Sequence, residues 1–359
     1  MVMKVTMTKT ILVLGGGGYI GSITASLLAQ YGYHVVVLDW RLDLHTIFVL
    51  APQEIVRNIT LLSGDYGDAG LLKDICTRYD IAGVIHLAGF IEVAQSVIDP
   101  QLYYENNVAK AIIAYKQLMA QGIKNIVFSS SAAVYGTPDN MPITEDSRCV
   151  PCSPYGMTKY CVELLLKDYI AAYGLHVYVM RYFNVAGAMP VWGLGERHEP
   201  ETHLIPRIIQ AAREHKRVTV FGHDYATPDG TCIRDYVHVL DIAQAHCLAM
   251  EKLLTKKTGY SEVVNLGTGS GYSVMSVIKT VEEVVGVSVE YNITSRRPGD
   301  PAILCASNER ARMLLSWEPI HSSLHQMVDD AYRFMISVSD AKQVCSASVK
   351  SLGKQLSNE

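Results

Sequence analysis

A tyrosine and a lysine four residues apart, Tyr155-Gly-Met-Thr-Lys159, are the residues best spaced for acid–base chemistry in this chain. On a helix, that spacing puts both side chains on one face. A phenol with a pKa of ~10 is a poor base at neutral pH, and holding it as phenolate takes roughly 4 kcal/mol of differential stabilisation. An ammonium beside it, and a second positive charge in the same desolvated cleft, supply energies of that order. The pair alone occurs often by chance. Its neighbour upstream, Phe128-Ser-Ser-Ser131-Ala-Ala-Val-Tyr-Gly136, adds a hydroxyl at Ser131 that can hydrogen-bond a reacting oxygen and relay its proton. Further upstream, glycines at 15, 18 and 21 flank Tyr19 and Ile20 in Gly15-Gly-Gly-Gly18-Tyr-Ile-Gly21. Glycines there permit a tight turn, close approach of backbone to a pyrophosphate, and close helix–strand packing. Gly-rich loop, Ser-containing strand end and Tyr/Lys helix, in that order, point to hydride transfer at a carbinol carbon.

These groups need elements to position them. Thr10–Leu14 reads as a short apolar strand leading into the glycines, and residues 20–31 as the helix whose positive end faces the phosphates. His34–Asp39 is a second strand, and its terminal Asp39 is placed to accept hydrogen bonds from ribose hydroxyls and to repel a 2′-phosphate. That favours NAD over NADP, although Arg41 nearby is of the type that holds such a phosphate. Further strands are expected at 59–63, 83–87 and 125–129, with helices at 69–79 and 100–121. Continuous apolar strands alternating with helices predict a Rossmann-type, doubly wound parallel α/β sheet. Beyond Tyr182 the rhythm breaks into loops rich in Gly, Pro and charge.

The 359 residues are enough for two lobes, and a net charge of −4 argues against nucleic-acid or membrane-surface partners. Neither a signal-peptide pattern nor an apolar run of the ~18 residues a membrane span needs is present, so a cytoplasmic protein is expected. Met7 is an alternative start to Met1. The eight cysteines form no paired framework and are expected as thiols. Cys149-Val-Pro-Cys152 has redox spacing, but it lies in a Pro-rich loop and not at the start of a helix. No second Cys/His pair completes a zinc site, and no metal is expected.

With those residues in view, the chain resembles the UDP-glucose 4-epimerase family over roughly residues 10–334. The matching stretches include GGGGYIGS, HLAGFIEVAQSV, FSSSAAVYG, SPYGMTKY, RYFNVAGA and RRPGDPA. The run Phe221–Ala243 is the most specific, because it lies outside the generic dinucleotide-binding part. The resemblance implies Tyr155 as catalytic base, Lys159 holding it and the nicotinamide ribose, and Ser131 assisting. It also implies Asp65 and Tyr66 beside the adenine, and Leu87, Asn106 and Phe183 on the nicotinamide side. For a UDP-hexose substrate it implies Arg234 and Arg297 on the pyrophosphate, Asn184 on the phosphates, and Asp300 on the uridine ribose. Phe221 falls near the uracil, His203 on the uridine side, and Leu304 at the hexose pocket. Tightly bound NAD and a homodimer are further implications.

Some residues depart from the family pattern. Asp39 is followed by Trp-Arg-Leu-Asp, His203 stands where Asn is frequent, and Ile91 and Met157 stand where some members carry lysine. Ala132-Ala133 occupies the place of the acidic pair that nucleotide-sugar dehydratases use to eliminate water. Epimerisation of N-acetylhexosamine, uronic-acid or pentose nucleotides remains an alternative, as does a non-catalytic NAD-binding regulator. The expected lobes are 1–181 plus 236–266 for NAD and 182–235 plus 267–336, a smaller α/β lobe, for the UDP-sugar. A flexible tail is expected at 337–359.

Overall fold

The computed structural model describes residues 9–42, 48, 50–256, 259–297 and 299–337. Met1, Met7, Asp43 and all but the first residue of the expected tail lie outside them. Six strands follow the apolar runs in chain order: β1 (Thr10–Leu14), β2 (His34–Asp39), β3 (Ile59–Ser63), β4 (Ile81–His86), β5 (Asn125–Ser131) and β6 (His176–Tyr182). Four short strands come next: β7 (Asn184–Ala186), β8 (Val218–Phe221), β9 (Ile233–Arg234) and β10 (Tyr236–His238). Then β11 (Tyr260–Leu266) returns to the large sheet. The sheet has seven strands in the order β3-β2-β1-β4-β5-β6-β11, every pair parallel. This is a doubly wound Rossmann-type sheet.

Both faces of the sheet are covered, which is why its strands are apolar throughout. One face packs Ile11, Val13, Val35 and Val37 against the helices Tyr19–Gln30 and Val239–Leu253. The other packs Leu12, Val36, Val84 and Ile126 against residues of the helices Ala69–Arg78, Lys110–Ala120 and Pro154–Tyr173. The strand order reverses between β1 and β4, and ligands of such sheets bind at the strands' C-terminal ends near that point.

The smaller lobe has its own core. Ile205, Ile208 and Ile209 of the helix Leu204–Glu214 meet Val277, Ile278 and Val281 of Val274–Val285, with Met327 and Val328 of the helix 324–337. Its strands are short: β12 (Tyr272–Ser273) and β14 (Ile303–Leu304) flank β9, and β13 (Tyr291–Thr294) pairs with β8. No helix among the described residues is long and apolar enough to cross a membrane.

The helix expected over 100–121 is interrupted. Pro100–Tyr104 and Lys110–Ala120 are α-helical, whereas Glu105–Ala109 forms a π-helical turn. Such turns frequently mark functional sites, because the extra residue re-aims side chains.

Candidate active site

The large sheet delivers its functional residues from the C-terminal ends of successive strands. Gly15 follows β1, Asp39 ends β2, Asp65 and Tyr66 follow β3, Leu87 follows β4, Ser131 ends β5 and Phe183 follows β6. All of them line one continuous cavity of about 1320 Å³. Tyr19, Ile20, Asn106, Tyr155, Lys159, Asn184, His203, Phe221, Arg234, Arg297 and Asp300 line the same cavity. Leu304 does not. It packs on the small cluster of Val134, Tyr135, Ile143 and Ala306, together with the cavity-lining Phe183.

The glycine loop has the shape a diphosphate needs. Gly15 has φ +79°, and a Cβ there would lie 2.6 Å from the Ala88 nitrogen. At Gly21 a Cβ would meet the Gly15 carbonyl oxygen at 2.3 Å, so the turn closes only with glycine. Gly18, the N-cap of the first helix, is different: the nearest atom to a Cβ lies 3.5 Å away, leaving room on the cavity side. The N–H groups of the first helical turn lack intrahelical partners and carry the positive end of the helix dipole. Asp39 is fixed by accepting from the Gly17 and Arg41 amides, both at 3.0 Å. The Arg41 guanidinium stacks on Trp40, 4.4 Å from its ring centre. Cradle and strand-end carboxylate thus fit a dinucleotide whose ribose has free hydroxyls.

Three consecutive serines at the end of β5 do three different things. The Ser129 carbonyl accepts from the Lys159 ammonium at 2.8 Å. Ser130 donates from Oγ to Glu163, which is also ion-paired to Arg181 at 2.6 Å within the core. Ser131 caps the following turn, accepting from the Ala133 amide at 3.2 Å, and its hydroxyl faces the same cavity as the Tyr155 phenol. Tyr155 and Lys159 project from the first turns of Pro154–Tyr173, which begins with Ser153 accepting from the Gly156 amide. A Cβ at Gly156 would lie 2.6 Å from the Ala133 carbonyl oxygen, so glycine lets the helix start press against the serine turn.

Electrostatics at the pair show what the second positive charge of the sequence reading has to overcome. Burial pushes the Tyr155 phenol above its ordinary value, and the Ser131 hydroxyl only partly offsets this. Burial likewise brings Lys159 down to about 8, against the pull of the Glu163 carboxylate. A further positive charge in the cavity is therefore needed to ionise Tyr155.

Sequence reasoning missed Asn107. Buried in the π-turn, it accepts from the Phe90 amide at 2.8 Å, donates to the Phe90 carbonyl at 3.0 Å, and donates to Thr158 Oγ1 at 3.2 Å. It thereby ties the Gly89–Phe90 loop to the helix carrying Tyr155 and Lys159. Its neighbour Asn106 donates to Asn107 at 3.0 Å, and its carbonyl accepts from Tyr66. Asp65 is held by Lys110 at 2.5 Å.

At the far end of the cavity, Arg297 stacks over Phe221 at 4.1 Å. Arg234 donates to the Ile233 carbonyl at 2.7 Å and is ion-paired with Asp300. The 66-residue separation of that pair gives no signal in the sequence. His203, N-cap of the helix Leu204–Glu214, turns its Nδ1 toward Glu196 and Glu201, at 2.7 and 3.0 Å. Burial opposes its protonation, but those two carboxylates prevail and lift it to about 10.

A parallel doubly wound sheet with a glycine cradle, an acidic second-strand end and a Tyr/Lys helix defines a dinucleotide-dependent enzyme acting on a carbinol. The chain belongs to the NAD dependent epimerase/dehydratase family, whose model matches residues 11–267. Within that family it is 45% identical over 325 residues to the UDP-glucose 4-epimerase of Halalkalibacterium halodurans, covering 90% of this chain and 95% of the relative. The UDP-glucose 4-epimerase of Brucella ovis, solved in complex with NAD, superposes with a TM-score of 0.84 at 42% identity, over 90% of this chain and 98% of that one. That of Bifidobacterium longum, solved with NAD+ and UDP, has a TM-score of 0.84 at 35% identity, over 92% and 98%.

Proposed function

We infer that this chain is an NAD-dependent UDP-glucose 4-epimerase, interconverting UDP-galactose and UDP-glucose. The observation that carries the reading is the single cavity running from Asp39, past Ser131, Tyr155 and Lys159, to Arg297 and Phe221. It brings the residues assigned to a dinucleotide and those assigned to a UDP-sugar into one space, with the Tyr/Lys pair among them. The relatives with NAD or UDP bound support it from a second direction.

Bound NAD supplies a reversible hydride acceptor and a positively charged ring. Tyr155 takes the proton of the hexose 4-hydroxyl and later returns it. Ser131 holds the phenol and the reacting oxygen in line. Lys159, anchored by Ser129, keeps an ammonium beside the phenol and the ribose. Gly15, Gly18 and Gly21, with Tyr19 and Ile20, cradle the dinucleotide diphosphate, while Asp39 takes its adenosine ribose. Asp65 and Tyr66 flank the adenine; Leu87, Asn106 and Phe183 line the nicotinamide side. Arg297 and Arg234 grip the UDP diphosphate with Asn184, Asp300 takes the uridine ribose, and Phe221 and His203 border the base. Firm anchoring of UDP and loose anchoring of the hexose let a 4-keto sugar present either face. Since reduction reverses oxidation, no net redox occurs and NAD stays bound.

The lobes assigned from the sequence carry this division of labour, with the NAD lobe at 1–181 plus 236–266 and the UDP-sugar lobe at 182–235 plus 267–336. A homodimer is the proposed assembly. Apolar side chains at Val93, Val97, Ile98, Ile112, Ile113 and Leu164 are exposed on helices of the larger lobe, and a second copy would cover them. A cytoplasmic location is proposed as well: the seven described cysteines are all free thiols, as a reducing compartment keeps them.

The deciding experiment is to incubate the purified protein with UDP-galactose and no added cofactor, following UDP-glucose and NADH absorbance. UDP-glucose without net NADH is the expected result. No interconversion, with or without added NAD, would overturn the reading.

A further inference from the structure

A loop on the cavity wall carries four clustered groups, Glu196, His198, Glu201 and His203, of which the reaction described above uses only His203, at the border of the base. Each offers one ligand atom, and all four atoms lie within 4.8 Å of one another. Around a tetrahedral zinc ion with bonds of ~2.1 Å, donor atoms sit about 3.4 Å apart. Small side-chain rotations therefore bring the set to that spacing.

The arrangement is organised beyond proximity. Both imidazoles turn Nδ1 to the same Glu196 oxygen, at 3.0 Å from His198 and 2.7 Å from His203. Glu201 is fixed by accepting from the Thr202 and His203 amides at 2.8 and 2.7 Å, and approaches His203 Nδ1 at 3.0 Å. The carboxylate side chains are well enclosed, 8% and 14% exposed, while the imidazoles are 31% and 40% exposed. The two imidazole rings lie with centres 5.3 Å apart, and their open side gives a dication that would balance both carboxylates an entry path.

We propose that Glu196, His198, Glu201 and His203 form a binding site for one divalent transition ion of the zinc class. Two imidazoles and two carboxylates suit Zn²⁺ and its first-row neighbours, whereas Mg²⁺ and Ca²⁺ take oxygen ligands. The site abuts the dinucleotide cradle: Tyr19 of that cradle donates to the Gly187 carbonyl at 2.6 Å, and Gly187 and Glu196 border one small pocket. A cation there fixes the loop from 196 to 203 between the cradle and the helix Leu204–Glu214. It also adds positive charge beside the cavity of an acidic chain. The sequence signal is Glu-x-His-x-x-Glu-x-His, which a search confined to cysteine and histidine pairs passes over.

The test uses the full-length protein with its NAD, treated with EDTA and returned to metal-free buffer. ZnCl2 is titrated calorimetrically into it and into the double variant His198→Ala/Glu201→Gln, with circular dichroism and NAD content recorded for both. The expected result is one ion per chain, bound ~10-fold or more weakly by the folded double variant. Substituting Co²⁺ should give a visible spectrum without the thiolate charge-transfer band that Cys149 or Cys152 would produce. Absence of saturable binding to the folded wild type would overturn the proposal, leaving a shared proton as the bond between His203 and the glutamates. Undiminished binding by the double variant, or a thiolate band, would overturn it too.

Discussion

Tyr155 and Lys159 show how a buried pair is kept unready until its ligands arrive. Replacing Tyr155 by Phe removes the proton acceptor with little change in shape. Turnover should fall by ~10²–10⁴-fold, the range typical of a lost general base, while NAD content stays unchanged. Comparing rates and bound NAD in the two proteins checks this. Lys159 makes a stability prediction whose sign follows from its depressed pKa. The folded protein binds its proton less tightly than the unfolded chain does, with values of about 8 against 10.5. Below about pH 8 both states are charged, and the folded state carries the full cost of burial, about 3 kcal/mol. From there to 10.5 the unfolded chain holds more protons, so this cost is relieved as pH rises. The unfolding free energy of the wild type should therefore rise relative to Lys159→Met across that window. Denaturant melts of both proteins measure it; a flat difference would refute it. Both residues were legible in the sequence because their spacing is local, whereas the phenol's raised pKa follows from enclosure that no spacing reveals.

At the scale of elements, the strands and the glycine turn were legible for a related reason. A strand buried on both faces must be apolar along its length, and a turn whose Cβ positions collide with backbone must be glycine. The π-turn at Glu105–Ala109 was not legible. Its residues suit an α-helix, and the reason to depart from one lies across space at Phe90 and Thr158. Replacing Asn107 by Ala leaves those partners unpaired inside the protein. It should lower stability by roughly 1–3 kcal/mol and reduce turnover without altering the Tyr155/Lys159 side chains themselves. Melts combined with steady-state kinetics distinguish this from a purely local loss, which would leave turnover intact. The Arg234–Asp300 pair was illegible as a pair for the same reason, although each residue stood out separately through its surrounding motif.

On the scale of the whole molecule, the cavity's two ends belong to different cores. Asp39 hangs on the large sheet, and Arg297 on the loop after β13. Truncating Arg297 to Ala should thus raise KM for the UDP-sugar ~10- to 100-fold, the scale of a lost charge-assisted hydrogen bond, with NAD content unaffected. Loss of NAD together with UDP-sugar affinity would count against the two-ended arrangement. The order of chain segments through these cores has a consequence for biosynthesis. The last strand of the large sheet, β11, is made only after β7 to β10 and the helix Val239–Leu253 have been added. Until it emerges from the ribosome, β6, whose seven residues are all buried in the finished protein, is an open sheet edge. A nascent chain halted with β6 outside the ribosome and β11 still inside it therefore presents a sticky template for neighbouring chains. Such a chain should engage holdase chaperones that the completed polypeptide releases, making the stretch between β6 and β11 the vulnerable interval of translation.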